Sequence, residues 1–250
     1  MKLKLKQPMK LKLKSNAEKI MKLKRFPTRL ALAGWLVVAG LAPQIMFATS
    51  VPLTNASFEA NASSPVGWNG IGIVSVYNWS AISAGEPAAD GTNAAVCSQS
   101  INFAAVLQAT SHVVATNELV NLTAAFGHRD NSAGTTWGGY WLSLDVVKSD
   151  GSATYTVANV YSAGGDPGND LWGDQTLSWL SPTNLASLPI ITNGITGTVP
   201  DGTADISSGT WYLQVLVGSD YPGGTGSGTA QAGVDKVRLD AAPAPVLIKR

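Results

Sequence analysis

Nucleophilic catalysis needs a Ser, Cys or Thr beside a base, usually histidine. This 250-residue chain has two histidines, His112 and His128, and one cysteine, Cys97. No Gly-x-Ser-x-Gly occurs, and Cys97 falls in a stretch that reads as a strand. Zinc would require several His or Cys ligands, and three such residues scattered along the chain do not make a site. Glycoside hydrolysis needs two carboxylates flanking one sugar bond, and the sequence alone pairs no two of its acids. The chain is therefore read as lacking catalytic residues.

Aromatic residues are the better clue to chemistry. From Thr49 onward the chain carries seven Trp and six Tyr but only three Phe. Flat rings stack on the C–H faces of sugars while neighbouring Asn, Asp and Gln bond the hydroxyls. Trp137, Tyr140, Trp172 and Tyr221 stand at Gly-rich loops or strand ends and form the candidate carbohydrate platform, whereas Trp68, Trp79, Trp179 and Trp211 read as packing residues. In GGDPGNDLWGD, Asp166, Asp170 and Asp174 recur every four residues. That is not an EF-hand spacing, and the three acids read first as solvated surface.

Charge divides the chain in two. Residues 1–48 hold eleven Lys or Arg and one acid, Glu18; the remainder holds six bases against fifteen acids, about −9. A body so poor in Lys and Arg excludes nucleic acid as a partner. The apolar segment 30–42 behind the basic stretch, followed by small residues near Ala48, has the order of a secretory signal peptide and is short for a membrane span. Cleavage is expected after Ala48; if the segment stays uncleaved, it is the chain's only contact with the membrane. The repeats MKLKLK, MKLKLK and MKLKR start at Met1, Met9 and Met21, and Met21 reads as the natural start. With one cysteine, no intramolecular disulfide can form.

These residues must be held by strands. After Thr49 apolar residues alternate or run in short bursts between Gly, Asn, Asp, Ser and Pro clusters, which predicts β-structure. Strands are expected at 71–77, 94–97, 101–107, 118–126, 139–147, 154–161, 210–217 and 233–239, with loops at 162–175, 181–208 and 218–231. In WLSLDVV, Leu142, Leu144 and Val146 face one way and Ser143 and Asp145 the other; in TWYLQVLVG, Trp211, Leu213, Val215 and Val217 share a face opposite Tyr212, Gln214 and Leu216. An all-β, antiparallel sandwich or jelly roll follows, one domain over residues 49–241 with a short tail at 242–250.

LTNASFEA (residues 53–60), followed by Gly67-Trp68, and AGVDKVRLD (residues 232–240) together resemble the ends of galactose-binding-like jelly rolls of bacterial carbohydrate-binding modules. Between them, GIVSVYN, PAADGTNAAV and LTAAFGHRD are similar to secreted bacterial proteins of the PEP-CTERM type. The tail APAPVLIKR departs from their sorting signal, having neither its Glu nor its apolar helix. The resemblance implies a structural calcium between Glu59 and Asp235, joining the first and last strands, and a non-catalytic protein outside the cytoplasm that binds polysaccharide or glycoconjugate. Two other classes stay open: a structural or adhesive protein of the envelope or matrix with protein partners, and a glycan-cleaving enzyme.

Overall fold

The computed structural model describes residues 48–83, 86–99, 103–129, 136–162, 164–168, 170–193, 197–219 and 230–244. The signal segment, the Met21 start, Tyr221 and the end of the tail lie outside the described residues. The described chain is an antiparallel β-sandwich of jelly-roll type, as the strand pattern predicts.

In chain order the strands are β1 (Thr49–Val51), β2 (Asn69–Ile71), β3 (Ile73–Asn78), β4 (Asn93–Gln99), β5 (Ala104–Val113), β6 (Glu118–Gly127), β7 (Thr136–Trp137), β8 (Tyr140–Lys148), β9 (Thr154–Ser162), β10 (Trp172–Leu180), β11 (Leu188–Ile190), β12 (Gly202–Ala204), β13 (Trp211–Ser219) and β14 (Ala230–Pro243). One short helical turn, α1 (Trp79–Ile82), follows β3. The first sheet runs β10-β6-β14-β4-β3, with β1 and β7 also on β14; the second runs β2-β5-β13-β8-β9. All these pairings are antiparallel except β7 with β14.

The core lies between the two sheets. Leu142, Leu144 and Val146 of β8 and Leu213, Val215 and Val217 of β13 are fully buried there, on the faces their alternation predicts. Val120, Leu122, Ala124 and Phe126 of β6 meet them from the other side. The inward set of β14 changes phase partway along: Ala232 and Val234 point inward, then Val237, Leu239 and Ala241. A bulge between Asp235 and Arg238, with Lys236 at φ 50°, inserts the residue that shifts the period. This bulge is what the motif VDKVRL encodes.

Several expected boundaries differ. The segment 53–60 is not the first strand: β1 lies just ahead of it, and residues 54–57 form a turn with Asn55 and Phe58 in left-handed backbone. The strand expected at 101–107 is shifted forward, to Ala104–Val113. The loop expected at 162–175 ends earlier, because Trp172 already pairs with Gly127 at the start of β10. Within the loop expected at 181–208, β11 and β12 form a small ribbon.

Candidate functional site

The far ends of β6 and β7 and the near ends of β8 and β10 meet at one rim of the sandwich. Gly127 of β6 and Gly233 of β14 are direct partners. With no side chain on either, they leave a flat seat on the outer face of the sheet. Trp79 and Trp172 occupy it, their ring centroids 4.5 Å apart. A Cβ on Gly233 would stand 2.4 Å from Trp79 Cζ3, so glycine is required by space rather than by backbone angle. Trp172 stays half-buried and its Nε1 donates to Pro87 O at 3.1 Å.

Beside this pair, the His128 ring lies 5.6 Å from that of Trp137, and His128 Nδ1 is 2.8 Å from Asp166 Oδ1. Asp166 also accepts from Gly168 N at 2.9 Å, which holds the loop before β10. Tyr140 packs 5.5 Å from Phe126, under Gly165. The structure thus brings Trp137, Tyr140 and Trp172 to the same end, each half-buried. The residues read as packing, Trp68, Trp79, Trp179 and Trp211, are all buried.

The three loop aspartates part company. Asp166 pairs with His128, Asp170 accepts from Ser83 Oγ, and Asp174 is exposed on β10 opposite Ala125. Among the described residues no group of three or more His, Cys, Asp or Glu side chains is arranged to hold a metal ion.

Glu59 and Asp235 converge on the loop ahead of β4. Glu59 Oε1 accepts from Thr92 N at 2.8 Å and Asn93 N at 2.6 Å, and Asp235 Oδ2 accepts from Asp90 N at 2.7 Å. Asp235 Oδ1 takes Lys236 N at 2.7 Å, a contact made possible by the bulge. Asp235 is wholly buried. Burial, reinforced by the charges of Asp90 and Glu59, pushes its carboxyl up to about 7 against the pull of its two N–H partners. These hard oxygens and their uncompensated charge fit a divalent ion chemically, although the two side chains would need backbone oxygens to complete its shell.

The outer face of the second sheet holds a polar belt that the search for reactive residue types passes over. Asp145 Oδ1 accepts from Thr156 Oγ1 at 2.8 Å and Ser143 Oγ at 3.1 Å, and Oδ2 from Gln214 Nε2 at 3.1 Å. Burial is the largest influence on Asp145 and raises its pKa despite these three donors. Next to it, Trp141 Nε1 donates to Asn159 Oδ1 at 2.5 Å, and Asn159 Nδ2 donates to Gly197 O at 2.9 Å. The signal was present in WLSLDVV, where Ser143 and Asp145 alternate with the core leucines. Ser143, Asp145 and Asn159 are buried. Asn159 and the bridge between Thr156 and Ile191 tie the chain beyond β11 to the edge of this sheet.

No protein-family model and no curated protein matches this chain. Several solved structures are similar to it at low TM-scores. The tandem CBM22-1–CBM22-2 domain of Paenibacillus barcinonensis Xyn10C is 15% identical with a TM-score of 0.45, over 82% of this chain and 50% of that one. The family 11 carbohydrate-binding module of Clostridium thermocellum, in complex with a β-1,3-1,4-mixed-linked tetrasaccharide, is 11% identical with a TM-score of 0.40, over 77% and 96%. The enzymatically active domain of bacteriophage CBA120 tailspike protein 4 is 11% identical with a TM-score of 0.44. That match covers 76% of this chain and only 21% of the tailspike domain.

Proposed function

We propose that this is an exported, non-catalytic carbohydrate-binding protein, whose platform for a polysaccharide or glycoconjugate is the rim carrying Trp137 and Trp172. The observation supporting this reading is that Trp137 stands 5.6 Å from His128, itself paired with Asp166, while Tyr140 and Trp172 open the neighbouring strands β8 and β10 at the same end. Trp137 and Trp172 supply ring faces, and the Asp166 carboxylate and His128 imidazole beside Trp137 supply hydrogen bonds to hydroxyls. Tyr140 buttresses the rim from below, and Tyr221 belongs to the same proposed set. The export reading rests on the basic and apolar order of residues 1–48.

A polysaccharide pull-down and glycan array with Trp137→Ala and Trp172→Ala tests the platform. Each change is expected to weaken binding about tenfold, equivalent to about 1.4 kcal/mol. Binding that survives the double change overturns it. Unaltered melting of the Trp137→Ala protein guards against misreading a folding defect.

We also propose a structural calcium held by Glu59 and Asp235 together with backbone oxygens of the neighbouring loops. It would offset the mutual repulsion of Asp235, Asp90 and Glu59 and tie the residues after β1 to β14. Melting with calcium and with EGTA is the check, and an unchanged transition discards the ion.

A further inference from the structure

At the opposite end of β6 from the aromatic rim, the sandwich opens into a cleft of about 350 Å³. Thr49, Ser50, Ser111, His112, Glu118 and Pro243 are among its walls. The volume falls within the range of small-molecule sites, about 300 to 1,000 Å³. Glu118 and Gly127 are the two ends of β6, nine residue steps apart, so cleft and rim lie roughly 30 Å apart. This is a separate place on the molecule, and the glycan reading makes no use of it.

Its chemistry is one-sided. His112 Nε2 lies 2.9 Å from Glu118 Oε2, joining β5 of one sheet to β6 of the other. The Glu118 side chain is only 11% exposed and that of His112 24%. None of the lining residues is Lys or Arg. The imidazole thus holds one carboxylate oxygen while the body around it carries net negative charge. Apolar walls from Val51, Pro52 and Ala241 lower the local dielectric and strengthen any charge that Glu118 meets. Hydroxyls of Thr49, Ser50 and Ser111 add neutral donors and acceptors.

We propose that this cleft is a ligand site for a small primary amine that also carries hydroxyls, the chemistry of an amino sugar. Glu118 is the counter-ion and makes a charge-assisted hydrogen bond to the ammonium. His112 fixes the carboxylate's orientation, and the serine and threonine hydroxyls meet those of the ligand. The same charge repels sugar acids, and a neutral sugar gains only the weaker hydroxyl contacts.

The test exploits the chain's two histidines, which give two ring Hε1 signals by NMR. The full chain is titrated at pH 7, where the glucosamine amine is mostly protonated, with glucosamine, glucose and glucuronate. Glucosamine is expected to shift the His112 signal saturably, at least tenfold more tightly than glucose, and glucuronate not at all. The His128 signal, on the distant rim, stays in place. Glu118→Gln is expected to reduce glucosamine affinity at least tenfold, with its melting temperature recorded alongside. No saturable shift with glucosamine overturns the site. Equal binding of glucose or glucuronate overturns the role of Glu118, and the wild-type comparison settles this even if Glu118→Gln folds poorly. The Trp137→Ala, Trp172→Ala double variant should bind glucosamine as the wild type does, so failure of the rim and failure of the cleft are told apart.

Discussion

Glu59 and Asp235, 176 positions apart in sequence, grip the same short loop: Glu59 holds Thr92 N and Asn93 N, and Asp235 holds Asp90 N. The loop is thereby fixed to both ends of the domain without a disulfide. Glu59 and Thr92 are exposed, so removing the carboxylate hands these N–H groups largely to water. Glu59→Ala is therefore expected to destabilise the fold by about 1 kcal/mol in urea unfolding. A change below a few tenths of a kcal/mol would mean the loop is held by other contacts.

The raised pKa of Asp235 sets a pH dependence. An unfolded aspartate titrates near 3.9, and the folded group near 7, so the folded state holds the proton more tightly. This contribution favours folding fully below about pH 4, declines as pH rises, and is gone above about pH 7. Asp145 is shifted in the same direction. Unfolding free energy measured at pH 5 and pH 8 should fall with pH, and Asp235→Asn should reduce the fall. Calcium at pH 8 should restore stability to the wild type and leave Asp235→Asn unaffected; equal restoration in both would place the ion elsewhere.

Gly233 is a steric requirement of the rim. Gly233→Ala drives a methyl into Trp79 and displaces the ring on which Trp172 rests. Overpacking of this kind costs about 1–3 kcal/mol. The same variant should weaken polysaccharide binding in the pull-down, because Trp172 shifts with its neighbour.

Cys97 is wholly buried, and burial pushes its thiol up to about 12 against the lowering influence of a hydrogen bond from the Ser219 backbone. The reactive thiolate is therefore almost absent in the folded protein. A thiol reagent at pH 8 should label Cys97 only at the rate of unfolding; rapid labelling of the native protein would contradict its burial.

Strands with clean alternation were legible in the sequence. Trp141–Val147 and Trp211–Val217 show their inner faces because each apolar residue has a polar or aromatic neighbour turned outward. β10 is absent from the strands the sequence predicts: Trp172, Gly173 and Asp174 resemble a loop by composition, and only pairing with Gly127, Phe126 and Ala125 makes them a strand. Residues 53–60 misled in the opposite sense. Their likeness to the first strand of galactose-binding-like jelly rolls implies a strand, but left-handed backbone at Asn55 and Phe58 folds Phe58 into the core from a turn. That Trp137, Tyr140 and Trp172 stand at strand ends was legible from their Gly-rich flanks. The acceptor role of Asp145 and the His112–Glu118 contact depend on partners from other strands, which spacing along one segment does not reveal.

Strand β14 lies in the interior of its sheet and bonds to β1, β4, β6 and β7. A chain cut before Ala230 would leave those four strands without their common partner. During synthesis, then, the β6–β10 and β3–β4 pairs can form early, but the strand that joins them is made only when nearly the whole described length has emerged.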